Sequence, residues 1–566
     1  MNINSVNLQG FRNYSDAHIR LSKNTLIIGA NDVGKTNFIY AMRLLLDKSL
    51  SDLDIEPKLN DFHINANGVQ SERIEILIEF DDVKEDAVLS RLGGDVSDKG
   101  KTFIKYVADK SNLQYKMFIG HKSNDMREMT SRFYLKYLNL RYVTSQRDLS
   151  KYISLEKRHL LKLAKEARSE EEREADKSIL DELTQSLKDV NNKVKEINYV
   201  SKATSELNDE LKKLSYQNDK FSVQLDSGAI GIDQFIEKLE LSSNTNGKKV
   251  MLGGDGFNNQ ILLALWKAKS VREHDLENEV VIYCVEEPES HLYPHQQRKL
   301  SQYLIDKLPG QSIVTTHSPQ ITTSYSPDSI IKICSNLEES YAASEGCSNC
   351  ISKAWDGMGY RISILPAEAF FANVVLLVEG PSELLFYHEL SKALNIDLDL
   401  YNISILSVDG VQFEVYIKIL EAFEIQWVAR TDNDHSKVPH KQEWQYSGLN
   451  RALSICRLPI LTNEKQPIEN LKLQAKLSCY KEKLNSMNVF VAFKDLEGDL
   501  SEEFSYELQS FTGASNNEDA AKYLRGKKAT RMRELLKAAS EKLIQIKDGE
   551  LARPLIRALK LSRGDF

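Results

Sequence analysis

Apolar and polar residues alternate along Arg73–Asp81 (RIEILIEFD), the pattern of a half-buried strand at a sheet edge or in an antiparallel pairing. Residues 2–10 and 24–29 also read as strands, and Asn37–Asp47 has helical spacing with few breakers. Between about Ser150 and Asn218 the pattern changes. Lys, Glu, Leu and Asn dominate, Pro and Gly are absent, and apolar residues recur three and four apart. This stretch reads as long helices projecting from a globular body, either a dimerisation arm or a solvated insertion. A Gly-rich turn region (Gly247–Gly256), an apolar helix (Ile261–Ala268) and two buried strands (Val280–Val285 and Ser312–Thr316) follow. Ser335–Asp356 reads as loop. Strands Val374–Val378, Ile403–Val408 and Ile425–Ala429 then alternate with helices near Ser382–Leu394 and Gln412–Ala422. That alternation implies a parallel sheet with right-handed crossovers.

Two phosphate-handling patterns sit on this framework. Gly29, Ala30, Asn31, Asp32, Val33, Gly34, Lys35 and Thr36 spell a P-loop between a strand and a helix, the context that gives the motif its meaning. Backbone N–H groups there cradle phosphate at a helix N-terminus, with Asn37 in the next position. Lys35 is expected to neutralise β/γ charge and Thr36 to ligate Mg²⁺. Downstream, an apolar strand ends in Glu286, Glu287 and Glu289. Glu286 is expected on the Mg²⁺ side, with Glu287 polarising the attacking water. His317 follows another strand, where it could contact a γ-phosphate.

The second pattern lies in the later α/β unit. Glu379 ends a strand, Glu383 opens the next helix, and Asp432 and Asp434 follow another strand, so the acids can converge at the carboxyl edge of a parallel sheet. Carboxylate oxygens with open positions suit Mg²⁺ or Mn²⁺, and two such ions stabilise both oxygens of a phosphodiester displacement. His63 and His435 are further candidates, each more simply read as structural.

Composition narrows the classes. The 566 residues exceed one core, so two or three domains are expected, and no apolar run approaches the roughly 20 residues of a membrane span. With no signal peptide at the N-terminus and six cysteines without a disulfide framework, a cytoplasmic protein is expected. Cys347 and Cys350 form a lone pair better read as linker thiols than as a zinc site. The net charge of −8 argues against a general polyanion binder, yet Ala521–Phe566 carries a local +8. That basic tail could hold a phosphate backbone or be a solvated helix face.

The order of the first motifs resembles ABC-type ATPase heads of the SMC-like and RecF-like group. The resemblance implies head-to-head dimers with ATP-Mg²⁺ sandwiched between a P-loop and the opposite signature loop, here Gly253, Gly254, Asp255 and Gly256. Gly253 stands where a serine is usual, and Glu286 where an aspartate is, so nucleotide sensing is expected over rapid hydrolysis. The acids around Glu379 and Asp432 resemble the Toprim fold, and an ATPase head joined to a Toprim domain is the OLD-family arrangement. Leu377–Glu383, Arg430–Asp434 and Gly448–Arg451 look like the nuclease subunits of Gabija anti-phage systems. By that resemblance Glu497 and Asp499 complete the acidic set and Lys528, preferred over Lys527, stabilises the scissile phosphate.

The expected fold is therefore α/β: an ABC-type ATPase head (1–149 and 246–345) with a helical insertion (150–245), then a Toprim-like parallel α/β domain with the basic tail (346–566). The expected function is a metal-dependent DNA endonuclease in anti-phage defence, restrained by bound nucleotide. Double-stranded DNA, further copies of the chain and a UvrD-like helicase of the GajB type are the partners implied, with no membrane. The rivals are a non-catalytic ATPase scaffold or repair clamp, and a Toprim enzyme of the topoisomerase or primase kind.

Overall fold

In the computed structural model the described residues are 1–143, 149–214, 279–290, 292–308, 310–336, 338–347, 367–408, 410 and 413–565, with short stretches between 232 and 268. The signature candidate Gly253–Gly256 and Cys350 lie outside them.

The N-terminal half stacks two sheets. β1 (Asn2–Phe11), β2 (Tyr14–Arg20), β4 (Arg73–Asp81), β5 (Thr102–Asp109), β6 (Gln114–Lys122) and β7 (Asp125–Met129) form an antiparallel sheet in the order β2-β1-β4-β5-β6-β7. Arg73–Asp81 is thus antiparallel but interior, not an edge. The second sheet has the order β14-β13-β3-β12-β11-β8, built from β3 (Asn24–Ile28), β8 (Leu138–Val143), β11 (Val280–Glu286), β12 (Gln311–Thr315), β13 (Ile330–Ser335) and β14 (Ser340–Ala342). All of its pairings are parallel except β13 with β14. β14 corrects the loop expected over Ser335–Asp356: three residues pair with β13 and cap the sheet. Helix α1 (Lys35–Leu46) packs between the sheets, its apolar face (Phe38, Ile39, Met42, Leu45) meeting Ile76 and Ile104 in one core.

The described residues of the insertion include the helices Leu149–Glu166, Glu170–Lys195 and Asn198–Leu214. Ser169 begins the second with a capping box, its hydroxyl taking the Glu172 N–H and the Glu172 side chain taking its own. Beyond it, β9 (Ser242–Thr245) and β10 (Lys248–Met251) form a hairpin.

The C-terminal half is built on a wholly parallel sheet ordered β16-β15-β17-β20, from β15 (Val374–Val378), β16 (Ile403–Ser407), β17 (Gln426–Thr431) and β20 (Val489–Val491). β18 (Ser436–Lys437) and β19 (Trp444–Gln445) make a small ribbon beside it. β15 is apolar throughout because both of its faces are covered. Val375 and Leu377 enter a core that also holds Leu26 and Val314 of the ATPase sheet and Ile321 of the short helix after β12, so the two halves share packed interior. Val374, Leu376 and Val378 face a separate core with Leu535, Leu543 and Leu555. The segment expected as a basic tail is therefore a helical layer. Its leucines are buried against the sheet, and its charges lie on the other side.

Candidate nucleotide and metal sites

β3 runs directly into the P-loop. Gly29 has φ 152°, and a Cβ there would lie 2.6 Å from the Ile333 carbonyl oxygen of β13. Gly34, at φ 99°, opens α1, and Tyr14 Oη donates to its carbonyl at 3.0 Å. Two glycines thus supply the backbone geometry of a phosphate cradle. Lys35 curls into that cradle and donates to the carbonyls of Gly29 (3.0 Å) and Ala30 (2.6 Å). Burial lowers its pKa, opposed by Glu287, Asp32, Glu286 and Glu289. Thr36 is exposed at the mouth of the loop, and Asn37 accepts from Arg12 Nη1 at 2.9 Å.

The acidic strand end lies across from the lysine. Glu286 is buried and accepts from Tyr142 Oη at 2.7 Å. Glu287 adopts left-handed backbone (φ 43°), a conformation uncommon for such a residue and frequent at functional sites. Its carboxylate lies 3.6 Å from His317 Nε2. Burial, then Lys35, lowers the His317 pKa against the pull of Glu287, so its imidazole is held toward the neutral form. Lys35, Glu286, Glu287 and His317 therefore surround one space.

Glu289 had no role from sequence. One of its oxygens takes both Thr316 Oγ1 (2.7 Å) and the His317 N–H (2.8 Å), which fixes the histidine loop; the other is buried without a hydrogen-bond partner among the described residues. His63 sits beside the P-loop: its Nδ1 pairs with the Arg12 carbonyl at 2.7 Å, and it lines a polar cavity of about 640 Å³ with Arg12, Asn13, Asp32 and Asn37.

In the C-terminal half, β15 delivers Glu379, the helix Pro381–Ala393 delivers Glu383 one turn later, and β17 delivers Asp432 and Asp434. Glu379 Oε1 accepts from Thr431 Oγ1 (2.6 Å), the Asp432 N–H (2.8 Å) and Arg451 Nη1. The other guanidinium nitrogen of Arg451 reaches Asp434 Oδ1 at 3.1 Å. Arg451 lies on the helix Ser447–Ile455, which meets the acid turn at Gly448. There the Gly448 N–H donates to the Asp434 carbonyl at 2.9 Å, and a Cβ would fall 2.0 Å from the Asp432 carbonyl oxygen.

The helix Leu496–Glu503 brings the last acids. Asp495 caps it at the Gly498 N–H (2.7 Å) and pairs with Arg525 through both oxygens. Asp499 turns inward to the buried Arg430 at 2.6 Å and accepts the Phe493 N–H at 2.9 Å, so both of its oxygens are engaged. Glu497 Oε1 and Asp432 Oδ1, in contrast, are buried with no hydrogen-bond partner among the described residues. Burial, then Glu379, pushes the Asp432 carboxyl up to about 8. Burial likewise raises Glu383 and Glu497. The Lys528 pKa is raised by Glu497, Asp432 and Glu383 against its own burial, so its ammonium faces this acid group. His435 lies beside Trp444, ring centroids 5.9 Å apart.

Carboxylate oxygens buried without donors are what a divalent cation would satisfy, so the residues present fit Mg²⁺ or Mn²⁺. Among the described residues, however, no three acid, histidine or cysteine side chains close on one point as a finished ion site. Arg451 and Arg430 hold three of the acids in ion pairs. Neither arginine had a role from sequence, although Arg430, directly after the apolar run Trp427–Ala429 of β17, was a visible signal, since a buried charge demands a partner.

Known proteins share both halves. Residues 1–167 and 135–322 match the AAA ATPase domain family, and residues 370–434 match the overcoming lysogenization defect protein-like Toprim domain. The chain is 25% identical over 580 residues to Endonuclease GajA of Bacillus cereus (strain VD045), covering 96% of each protein. Among solved structures, an SMC head bound to the C-winged helix domain of ScpA aligns over 60% of this chain and 97% of its own, at 17% identity and a TM-score of 0.37. The SMC head domain from Thermotoga maritima aligns over 60% and 98%, at 12% identity and a TM-score of 0.33. With the ATPase family spanning more than half of the chain and the Toprim match ending on the acid pair Asp432 and Asp434, the chain belongs to the OLD family of ATPases that carry a Toprim domain.

Proposed function

We propose that this protein is a metal-dependent DNA endonuclease whose cutting site is the Toprim acid cluster and whose activity is restrained by nucleotide at the P-loop. The observation that carries the reading is the pair of buried, unpartnered oxygens on Asp432 and Glu497, beside Glu383 and facing Lys528. Divalent ions, when bound, supply the Lewis acidity that stabilises the attacking and leaving oxygens of a phosphodiester. Asp432, Glu497, Glu383, Glu379 and Asp434 would hold them. Asp499 would act indirectly, by fixing Arg430, whose positive charge acts on Asp432 and Glu383. Lys528 offers its ammonium to the scissile phosphate, where negative charge grows.

On the ATPase side, Lys35 would exchange the loop carbonyls for β/γ-phosphate oxygens, and Thr36 would face the accompanying Mg²⁺. Glu287 and His317 would meet at the terminal phosphate. Control of cutting is supported by β13, which touches Gly29 of the P-loop on one side and, through its partner β14, the Toprim domain on the other. An exposed apolar series on the second insertion helix, Ile179, Leu183, Val190 and Val194, supports pairing with another copy. The relative's name and extent support endonuclease chemistry over the whole chain. The resemblance to Gabija nucleases implies double-stranded DNA as substrate, a place in anti-phage defence and a UvrD-like helicase partner of the GajB type.

A second reading, an ATPase scaffold with a silent Toprim domain, draws support from the arginine that caps Glu379. Cleavage of supercoiled plasmid with Mg²⁺ or Mn²⁺, with and without ATP, separates the two. Wild type should cut, Glu379→Ala should not, and ATP should slow the wild type but not Lys35→Ala. A wild type that binds ATP yet never cuts, with varied DNA and metals, would favour the scaffold.

A further inference from the structure

We propose that Arg451 is the resident cation of the acid site in its ion-free state and competes with divalent metal for Glu379 and Asp434. The inference rests on reading the acid cluster as a divalent-ion site. Glu379 Oε1 already receives three donors: Thr431 Oγ1, the Asp432 N–H and Arg451 Nη1. Two of these belong to the β17 strand end and are fixed by the sheet. The third is a side chain that can leave. A metal reaching for that oxygen competes with the guanidinium, because three donors already crowd it and only Arg451 is both cationic and free to swing away.

The same guanidinium spans two strand ends. Its Nη2 lies 3.1 Å from Asp434 Oδ1, so one planar fork bridges the carboxylates delivered by β15 and β17. A lysine ammonium is a point charge and holds such a bridge poorly. Arg451 is only 9% exposed, and its helix is pinned three residues earlier by the contact of Gly448 with the acid turn. The bridge is therefore built into the fold rather than being a chance surface pair. Its chemical sense follows from the neighbours. Glu379, Glu383 and Asp432 repel one another, Glu497 adds to the charge on Glu383, and Lys528 answers Glu497, Asp432 and Glu383. Arg451 neutralises the half that Lys528 does not reach and leaves the Asp432 and Glu497 oxygens open. Asp432 and Glu497 would thus take an ion first, and Glu379 would join them only once Arg451 releases it. This makes Arg451 a positioning residue that sets metal affinity.

The test is Mn²⁺ titration of the full-length protein by calorimetry, without DNA, comparing wild type with Arg451→Gln, Arg451→Lys and Asp432→Asn. Arg451→Gln should bind Mn²⁺ about tenfold more tightly than wild type, with Arg451→Lys in between. Equal or weaker binding by a folded Arg451→Gln overturns the proposal. Should that variant fail to fold, the wild type alone decides. Phenylglyoxal labelling of Arg451, read by mass spectrometry, should be low without ions and rise with saturating Ca²⁺; unchanged labelling overturns the proposal. Absence of Mn²⁺ uptake, or uptake that Asp432→Asn leaves intact, removes the metal-site reading itself and the competition with it.

Discussion

Gly448→Ala puts the geometry of the acid turn to a quantitative test. The new Cβ would lie 2.0 Å from the Asp432 carbonyl oxygen, 2.7 Å from the Asp434 nitrogen and 2.8 Å from Asp434 Oδ1. Two of these atoms are backbone, so no flexible side-chain end can swing aside. Reaching an ordinary contact of 3.4 Å forces the helix and the turn apart by roughly 1.4 Å. Overpacking of this kind costs about 1–3 kcal/mol, which urea unfolding resolves as a lower midpoint with an unchanged slope. The displacement acts directly on Asp432 and Asp434, and it moves Arg451 on the same helix. A misplacement of about 1 Å at reacting groups costs roughly 100-fold in rate, so Mg²⁺-dependent plasmid cleavage should fall by about that factor. Gly93→Ala, at a site with nothing within 4 Å, is the control and should cut and unfold like wild type. A Gly448→Ala protein with wild-type midpoint and wild-type cutting would refute the claim that this helix is seated on the acid turn.

Asp499→Asn leaves the buried Arg430 without its carboxylate and should cost about 3–5 kcal/mol in urea unfolding, more than a surface acid would. The acid cluster also fixes a sign for pH. Asp432 titrates near 8 when folded against an ordinary 3.8, so the native state keeps a proton that the unfolded chain has lost. Its contribution to stability is complete below about pH 4 and is lost as pH rises toward 8, so the ion-free melting temperature should fall across that window and Mg²⁺ should restore it. Tyr341→Phe removes the hydrogen bond to Glu424 and should reduce the inhibition of cleavage by ATP several-fold while cutting without ATP stays near wild type.

The P-loop and the strand-end acids were legible because each is a local pattern: a short motif between a strand and a helix, and apolar runs that stop at a carboxylate. β15 shows how far such reading carries. Five apolar residues announce a strand covered on both faces, and the alternation of Val375 and Leu377 against Val374, Leu376 and Val378 assigns the faces. What stayed hidden depends on contacts distant in sequence. β14 is three residues long and exists through its pairing with β13. The basic segment after Ala521 was legible as charge, but its leucines pack against a sheet whose first two strands lie more than 100 residues earlier, so it forms a layer rather than a tail. Glu497 and Asp499 stand two apart on one helix and looked interchangeable. Helix rotation sends Asp499 to Arg430 and leaves the Glu497 oxygen unpartnered, and only packing decides which.

The route from nucleotide to acid turn can be argued from β13. Its Ile333 carbonyl lies against Gly29, so phosphate binding that shifts the P-loop presses on β13 backbone. Cys334, the next residue, pairs with Tyr341 of β14, whose hydroxyl donates to Glu424 Oε2 at 2.8 Å. Ser344 Oγ adds a second tie, to the Ala422 carbonyl at 2.7 Å. Glu424 lies in the turn that feeds β17, and β17 ends at Asp432. A strand is stiff along its axis, and β17 is held in register by β15 and β20. Displacement of the turn is therefore passed along β17 instead of being absorbed. The shared core of Leu26, Val314, Val375 and Leu377 resists rigid separation of the halves, and among the described residues this hydrogen-bonded edge is a more compliant link between them. A control signal carried this way needs no large domain motion: a shift of a few tenths of an ångström at Asp432 would weaken its hold on an ion without unfolding the site.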